Sequence, residues 1–144
     1  MIKQIDDDIL VAKEQYICHQ CNCVSTNSAG LANLLFHKWP QANTYKDRTN
    51  PNTPGTISIH SINDNQYIVN MYAQYYPGFP NISDSSIKRE KYFLDCLQSI
   101  ISLKPTSIAF PHKIGCGLAG GNWERYYQMI NSIDNSINIV IYKI

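Results

Sequence analysis

The sequence predicts a three-layer α/β/α sandwich built around a mixed central sheet. Three observations lead there. Short apolar runs of strand character alternate with stretches of helical period along most of the chain. One pair of strand-like runs is separated by turn residues alone, which places an antiparallel pair among otherwise crossover-linked strands. The 144 residues, 44% hydrophobic and 16% charged, can bury a core without disulfide or metal staples. No repeat, low-complexity tract or linker interrupts positions 1–144, which read as a single domain.

Tyr16 to Cys21 forms the first clear strand candidate. Leu31, Leu34, Leu35 and Trp39 then mark a helical stripe that Pro40 closes. Thr56 to His60 alternates as a strand, with Ile57 and Ile59 on one face. Asn63-Asp64-Asn65-Gln66 supplies turn chemistry, and Tyr67 to Tyr72 follows as its hairpin partner. The longest helix is expected from Ser86 to Ile101. Phe93, Leu97, Ile100 and Ile101 form its buried stripe, the Ser83/Asp84/Ser85 cluster supplies a cap, and Pro105 prevents continuation. Ser107 to Phe110 is a compact apolar strand ending at Pro111. A glycine-rich loop leads into a helix capped by Asn122, with Trp123, Tyr127, Ile130 and Ile133 on its inner side. Ile137 to Tyr142 closes the chain as a strand.

Composition excludes several classes. A formal net charge of +1 gives no general pull toward nucleic acid or an anionic membrane. No apolar run approaches the roughly 20 residues needed to span a bilayer. The opening Met1-Ile2-Lys3-Gln4-Ile5-Asp6-Asp7-Asp8 turns acidic where a signal peptide would turn apolar, so an intracellular, cytoplasmic setting is expected, a nuclear one remaining open. The five cysteines, Cys18, Cys21, Cys23, Cys96 and Cys116, are then expected as reduced thiols. Cys18-His19-x-Cys21-x-Cys23 lacks a second ligand pair that could complete a zinc tetrahedron, and strand alternation separates Cys18 from Cys21 and Cys23. Neither a metal nor a cofactor is expected, and the chain is expected as a monomer.

Two segments carry chemistry. Ile114-Gly115-Cys116-Gly117-Leu118-Ala119-Gly120-Gly121-Asn122-Trp123 sits between a strand and a helix, where open α/β sheets place their ligand sites. Its glycines let backbone N–H groups converge, and a helix N-terminus behind them favours an anion, with phosphate or pyrophosphate as the natural guest. A tight strand-to-helix turn is the alternative. Neither GxxxxGK[ST] nor GxGxxG is present, which disfavours the ordinary nucleotide folds. The second segment runs from Cys18-His19-Gln20-Cys21-Asn22-Cys23 to Ser28-Ala29-Gly30-Leu31-Ala32, again from strand through a loop of small residues to helix. Asn22 at the strand end can donate to and accept from sugar hydroxyls, although an Asn there also serves as a turn former.

Together these segments resemble the macro domain family, in particular the branch with ADP-ribose-1''-phosphate phosphatase and terminal ADP-ribose glutamate hydrolase. The resemblance lies in Asp8-Ile9-Leu10 after a first strand, His19 to Cys23, the Ser28-to-Ala32 helix entry, Pro111 to Leu118, and the closing Val140 to Ile144. It implies the macro domain sandwich and a small-molecule ligand, ADP-ribose or a derivative, free or carried by an ADP-ribosylated protein. It also implies roles. Asp8 would accept from the adenine amino group beside the Ile9 backbone. Asn22 would face the distal ribose. Ser28, Ala29, Gly30 and Leu31 would grip the diphosphate from one side, and Ile114, Gly115, Cys116, Gly117, Leu118, Ala119 and Gly120 from the other. Tyr142 or Ile144 could flank the adenine, a core or terminal role being equally open to each.

The sequence departs from that branch where the glutamate-type hydrolase uses a Lys and an Asp. The matching positions here are Gln74 and Ala119, neither able to form a lysyl adduct or act as a general base. Asn22, His19 and Lys113 remain as catalytic candidates near the ribose end, with His112 beside them. His has the intrinsic pKa for proton transfer near neutrality, while a lone His in a strand is also commonly a packed residue. Hydrolysis of a substituent on the distal ribose is the expected activity, and non-catalytic reading of ADP-ribose the alternative. Gln74 to Pro80 reads either as an aromatic loop over the ligand or as a structured connection.

Overall fold

The computed structural model describes residues 2–133 and 136–144. Six strands form one sheet: β1 (Ile2–Asp6), β2 (Tyr16–Asn22), β3 (Ile57–Asn63), β4 (Gln66–Gln74), β5 (Ser107–Pro111) and β6 (Asn138–Lys143), in the order β1-β6-β5-β2-β4-β3. Every neighbouring pair is parallel except β3 with β4, the hairpin anticipated from Asn63 to Gln66. Helices α1 (Gly30–Lys38), α2 (Ser86–Ser102) and α3 (Trp123–Asn131) cover both faces. The fold is therefore a mixed α/β/α sandwich.

Strand alternation sorts side chains into two cores. Cys18, Val69, Met71, Ile108, Phe110, Ile139 and Ile141 meet Phe93, Leu97 and Ile100 of α2 and Tyr126 and Ile130 of α3 on one face. Ile17, Cys21, Ile68, Tyr72, Ala109 and Tyr142 meet Leu35 and Phe36 of α1 on the other. Coverage of both faces explains why β4 reads as an almost unbroken apolar run. Ser85 caps α2, its side chain accepting from the Lys88 N–H, and Asn122 caps α3 by accepting from the Arg125 N–H. Among the described residues no helix is long and apolar enough to cross a membrane.

Three details of packing differ from the sequence reading. In α1 it is Leu35 and Phe36 that are buried, while Leu34 is 56% exposed. The run Leu31-Ala32-Asn33-Leu34-Leu35-Phe36 is apolar on almost every side, so its period could not fix which face turns inward. In α3 the inner aromatic is Tyr126, set against Phe93 at 4.7 Å between ring centroids, while Tyr127 lies beside Trp123. Positions 126 and 123/127 both fit a helical stripe that includes Ile130. Ile59 is 40% exposed on the edge strand β3, whereas Ile57 and Ile62 pack against the two cores.

Candidate functional site

The chain leaves the adjacent strands β2 and β5 in opposite directions, toward β3 through α1 and toward β6 through α3. Such a divergence opens a crevice at the carboxyl ends of the two strands. A cleft of about 430 Å³ lies there, within the usual range for a small-molecule site.

The glycine-rich segment forms one wall. Lys113 and Gly115 adopt left-handed backbone, with φ 61° and 73°, immediately after β5. Turn bonds consume the N–H groups of Ile114, Cys116, Gly120 and Gly121, which donate to Pro111, Lys113, Gly117 and Gly115. Among the described residues the N–H groups of Gly117, Leu118 and Ala119 have no protein acceptor. A Cβ at Gly115 would lie 2.8 Å from both Gln20 Oε1 and the Tyr126 ring, whereas one at Gly117 would meet nothing within 4 Å. Gly115 is thus required by the fold, and Gly117 leaves open space.

The facing wall is the entry to α1. Its N-cap is Ala29, which offers no side-chain cap, so the first-turn N–H groups of Gly30, Leu31 and Ala32 stay unsatisfied beside the cleft. The sequence had suggested that the helix after the glycine loop would supply the anion-binding terminus. In the structure the start of α3 does not line the cleft, and the helix terminus that borders it is that of α1. Two sets of free backbone donors therefore border one cleft, with the positive end of a helix dipole behind one of them, an arrangement suited to a polyanion.

Asn22 stands at the end of β2 between these walls, 8% exposed. Its Oδ1 accepts from the Val24 and Ser25 N–H groups at 3.1 and 2.8 Å, and its own N–H donates to the Tyr45 hydroxyl at 2.8 Å. Arg48 secures the same loop by donating to the Ser25 and Asn22 carbonyls and stacking its guanidinium 4.6 Å from the Tyr45 ring centroid. Neither Tyr45 nor Arg48 carries a motif, and neither was legible as a site residue. On the cleft floor Gln20 Nε2 donates to Gln74 Oε1 at 2.7 Å, and Gln74 Nε2 donates to the Tyr76 carbonyl. Gln20 Oε1 is buried and unpartnered.

Of the residues singled out from sequence, His19, Asn22, Ala29, Gly30, Leu31 and Lys113 border the cleft, as does the whole stretch Ile114, Gly115, Cys116, Gly117, Leu118 and Ala119. Six do not line it, among them Ile144, which is 93% exposed. Asp8 caps a 3-10 turn after β1, where its Oδ1 accepts from the Leu10 N–H at 2.9 Å, and Ile9 is buried in the α1-side core. Ser28 donates its hydroxyl to Asn33 Oδ1, and Gly120 packs against Phe79. Tyr142 donates its hydroxyl to Glu14 at 2.6 Å, and burial together with that bond raises its pKa.

Titration behaviour follows from burial. His19 is 1% exposed, and desolvation pulls its pKa down to about 4 despite the opposing hydrogen bond to Asn70. Asn70 spends its Nδ2 on the Ala42 carbonyl, so its Oδ1, 2.6 Å from His19 Nε2, accepts from a neutral imidazole. His112 is also lowered, by desolvation and then by Lys143 and Lys113. Burial pushes the Cys116 thiol up to about 11, although Lys113 draws it slightly the other way. That thiol donates to the Ile114 carbonyl at 3.2 Å. Among the described residues no group of three or more His, Cys, Asp or Glu is placed to hold a metal ion.

Arg89 escaped the sequence reading as well. Arg89 is 1% exposed and pairs with fully buried Asp84 at 2.8 Å. Asp84, expected only as part of a helix cap, accepts from the Tyr75 and Tyr76 N–H groups through Oδ2 at 3.0 and 2.9 Å. The signal was partial. Arg89 lies four residues before Phe93, on the same face of α2, but its burial is decided by partners far away in sequence.

No protein-family model matches the chain. It is 28% identical, over 98% of its length and 95% of the other, to an uncharacterized 17.5 kDa protein from the tk-vs intergenic region of Enterobacteria phage T4. The macrodomain of Mycobacterium tuberculosis DarG superposes with a TM-score of 0.78 at 23% identity, covering 99% of this chain and 97% of that one. A mutant Oceanobacillus iheyensis macrodomain with ADPR superposes with a TM-score of 0.63 at 17% identity, covering 99% and 83%. The fold is that of the macrodomains.

Proposed function

We propose that this macrodomain-fold protein binds ADP-ribose or a derivative and hydrolyses a substituent on the distal ribose, a 1''-phosphate, an O-acetyl group or a protein side chain. The observation that carries the reading is the pair of opposed donor sets, Gly30 to Ala32 on one wall and Gly117 to Ala119 on the other, spaced across a cleft with Asn22 at one end. A diphosphate satisfies both walls, and Asn22 meets the ribose beyond it. That a macrodomain of the same fold has been solved with ADPR supports the choice of ligand. The adenine would extend toward Asp8, whose unshared carboxylate oxygen accepts from the exocyclic amine.

For hydrolysis of a 1''-phosphate, water adds to phosphorus as the bond to the ribose oxygen breaks; one water proton passes by way of a phosphate oxygen to the leaving ribose oxygen, and the other stays on the released hydrogen phosphate. Asn22 positions the water through Nδ2, its Oδ1 being engaged by the loop. Lys113 at the rim pairs with the terminal phosphate and offsets charge on the transferring group. Buried, neutral His19 holds the floor through Asn70, and the neutral imidazole of His112 borders the reacting end.

A second reading, a non-catalytic ADP-ribose reader, is favoured by one observation. Among the described residues no carboxylate lines the cleft, and Gln74 is tied to Gln20. Phosphorus NMR of ADP-ribose-1''-phosphate followed over time separates the two. Free phosphate with ADP-ribose establishes the hydrolase, and shifted diphosphate resonances without turnover show binding and leave the reader or another linkage, which the O-acetyl and protein-linked substrates decide. If the 1''-phosphate, O-acetyl and protein-linked substrates all survive an excess of protein, the hydrolytic reading is wrong.

A further inference from the structure

We propose that Arg89 is the positioning residue of this cleft, clasping the loop after β4 to the glycine loop so that the distal end is set before ligand arrives. The inference rests on the ADP-ribose reading of the same site. Arg89 Nε and Nη2 donate to Asp84 Oδ2 at 3.1 and 2.8 Å. Nη1 donates at once to the Gly78 carbonyl at 2.7 Å and to the Ala119 carbonyl at 3.1 Å, and Nη2 reaches the Tyr76 carbonyl at 3.1 Å. Gly78 and Ala119 belong to two different loops, and both line the cleft. A second contact joins the same loops, because the Phe79 ring lies where a Cβ of Gly120 would stand.

Stability alone gives no reason for a guanidinium here. A buried ion pair often adds nothing over apolar side chains of similar volume, and an apolar residue would continue the Phe93 stripe. What an apolar residue cannot do is donate to carbonyls of two loops simultaneously. The planar fork of arginine fits that task and the single ammonium of lysine does not. Asp84 completes the device by holding the Tyr75 and Tyr76 N–H groups from the other side. With both loops fixed, the donors of Gly117 to Ala119 are already aimed, and the ligand does not bear the cost of ordering them.

The test is Arg89→Lys in the full chain, read by thermal melting, amide hydrogen exchange, and titration with ADP-ribose and with AMP, which lacks the second phosphate and distal ribose. The expected result is weaker ADP-ribose binding by about tenfold or more, with AMP affinity kept. Exchange should rise at Tyr75 and Tyr76, whose amides Asp84 holds, and at Cys116, Gly120 and Gly121, whose turn bonds shape the glycine loop. Unchanged ADP-ribose affinity in a folded variant would overturn the proposal, as would an equal loss for both ligands, which would mark general loosening. If the wild-type protein does not bind ADP-ribose, the ligand reading fails, and the exchange data still decide whether Arg89 couples the two loops. Should Arg89→Lys not fold, Asp84→Asn, which weakens the hold on the guanidinium, gives the decision through exchange at Cys116, Gly120 and Gly121 of the glycine loop. Unaltered protection there would overturn the clasp.

Discussion

Acidification should destabilise this protein through His19, and the size of the effect follows from its burial. The imidazole is almost fully enclosed and titrates near 4 in the folded protein against 6.5 for the free side chain. Between those values the unfolded chain carries a proton that the folded chain refuses, so stability rises with pH across the window and is lost as pH falls through it. The whole contribution is present above pH 6.5 and gone below about 4. At about 1.4 kcal/mol per pKa unit, the loss amounts to about 3 kcal/mol. His60 and His112 are lowered as well, so the clean observable is a difference between two proteins. Urea unfolding of wild type and His19→Gln at pH 7, 6, 5 and 4 provides it. The variant is expected to be less stable at pH 7 and to lose less on acidification, with the gap narrowing by about 3 kcal/mol. Parallel curves would refute the assignment of a buried neutral imidazole.

Three further variants probe the cleft. Gly117→Val should fold and melt normally, since a Cβ there meets nothing within 4 Å, yet obstruct the diphosphate; calorimetry with ADP-ribose should show a loss of about tenfold or more. Asp8→Ala should weaken ADP-ribose by about 1–3 kcal/mol, and unchanged affinity would remove Asp8 from the adenine end. Cys116→Ala should leave affinity unaltered, because the thiol donates to the Ile114 carbonyl and the loop acts through its backbone; a loss would show that the side chain takes part.

Much of the fold was legible because its signals are local. The hairpin at Asn63 to Gln66, the Ser85 and Asn122 caps and the short strand runs of β2 and β5 each follow from short-range chemistry. The two loops could be recognised as partners because each follows a strand and opens a helix. What stayed hidden depends on contacts far apart in sequence. Tyr126 rather than Tyr127 turns inward because Phe93, on another helix, receives it. The helix terminus beside the cleft is that of α1 and not of α3, which only the packing of the two helices around the sheet decides. Arg89 looks like an ordinary surface charge until its carbonyl partners at Gly78 and Ala119 are brought together.

An amide-resolved NMR titration of the wild-type protein with ADP-ribose examines the two-walled site itself. The largest shifts are expected at Gly30, Leu31 and Ala32 on one wall and at Gly117, Leu118 and Ala119 on the other, with Asn22 between them. Saturating ADP-ribose that leaves these amides unmoved, or that shifts a different surface, would show that the two donor sets do not hold a diphosphate.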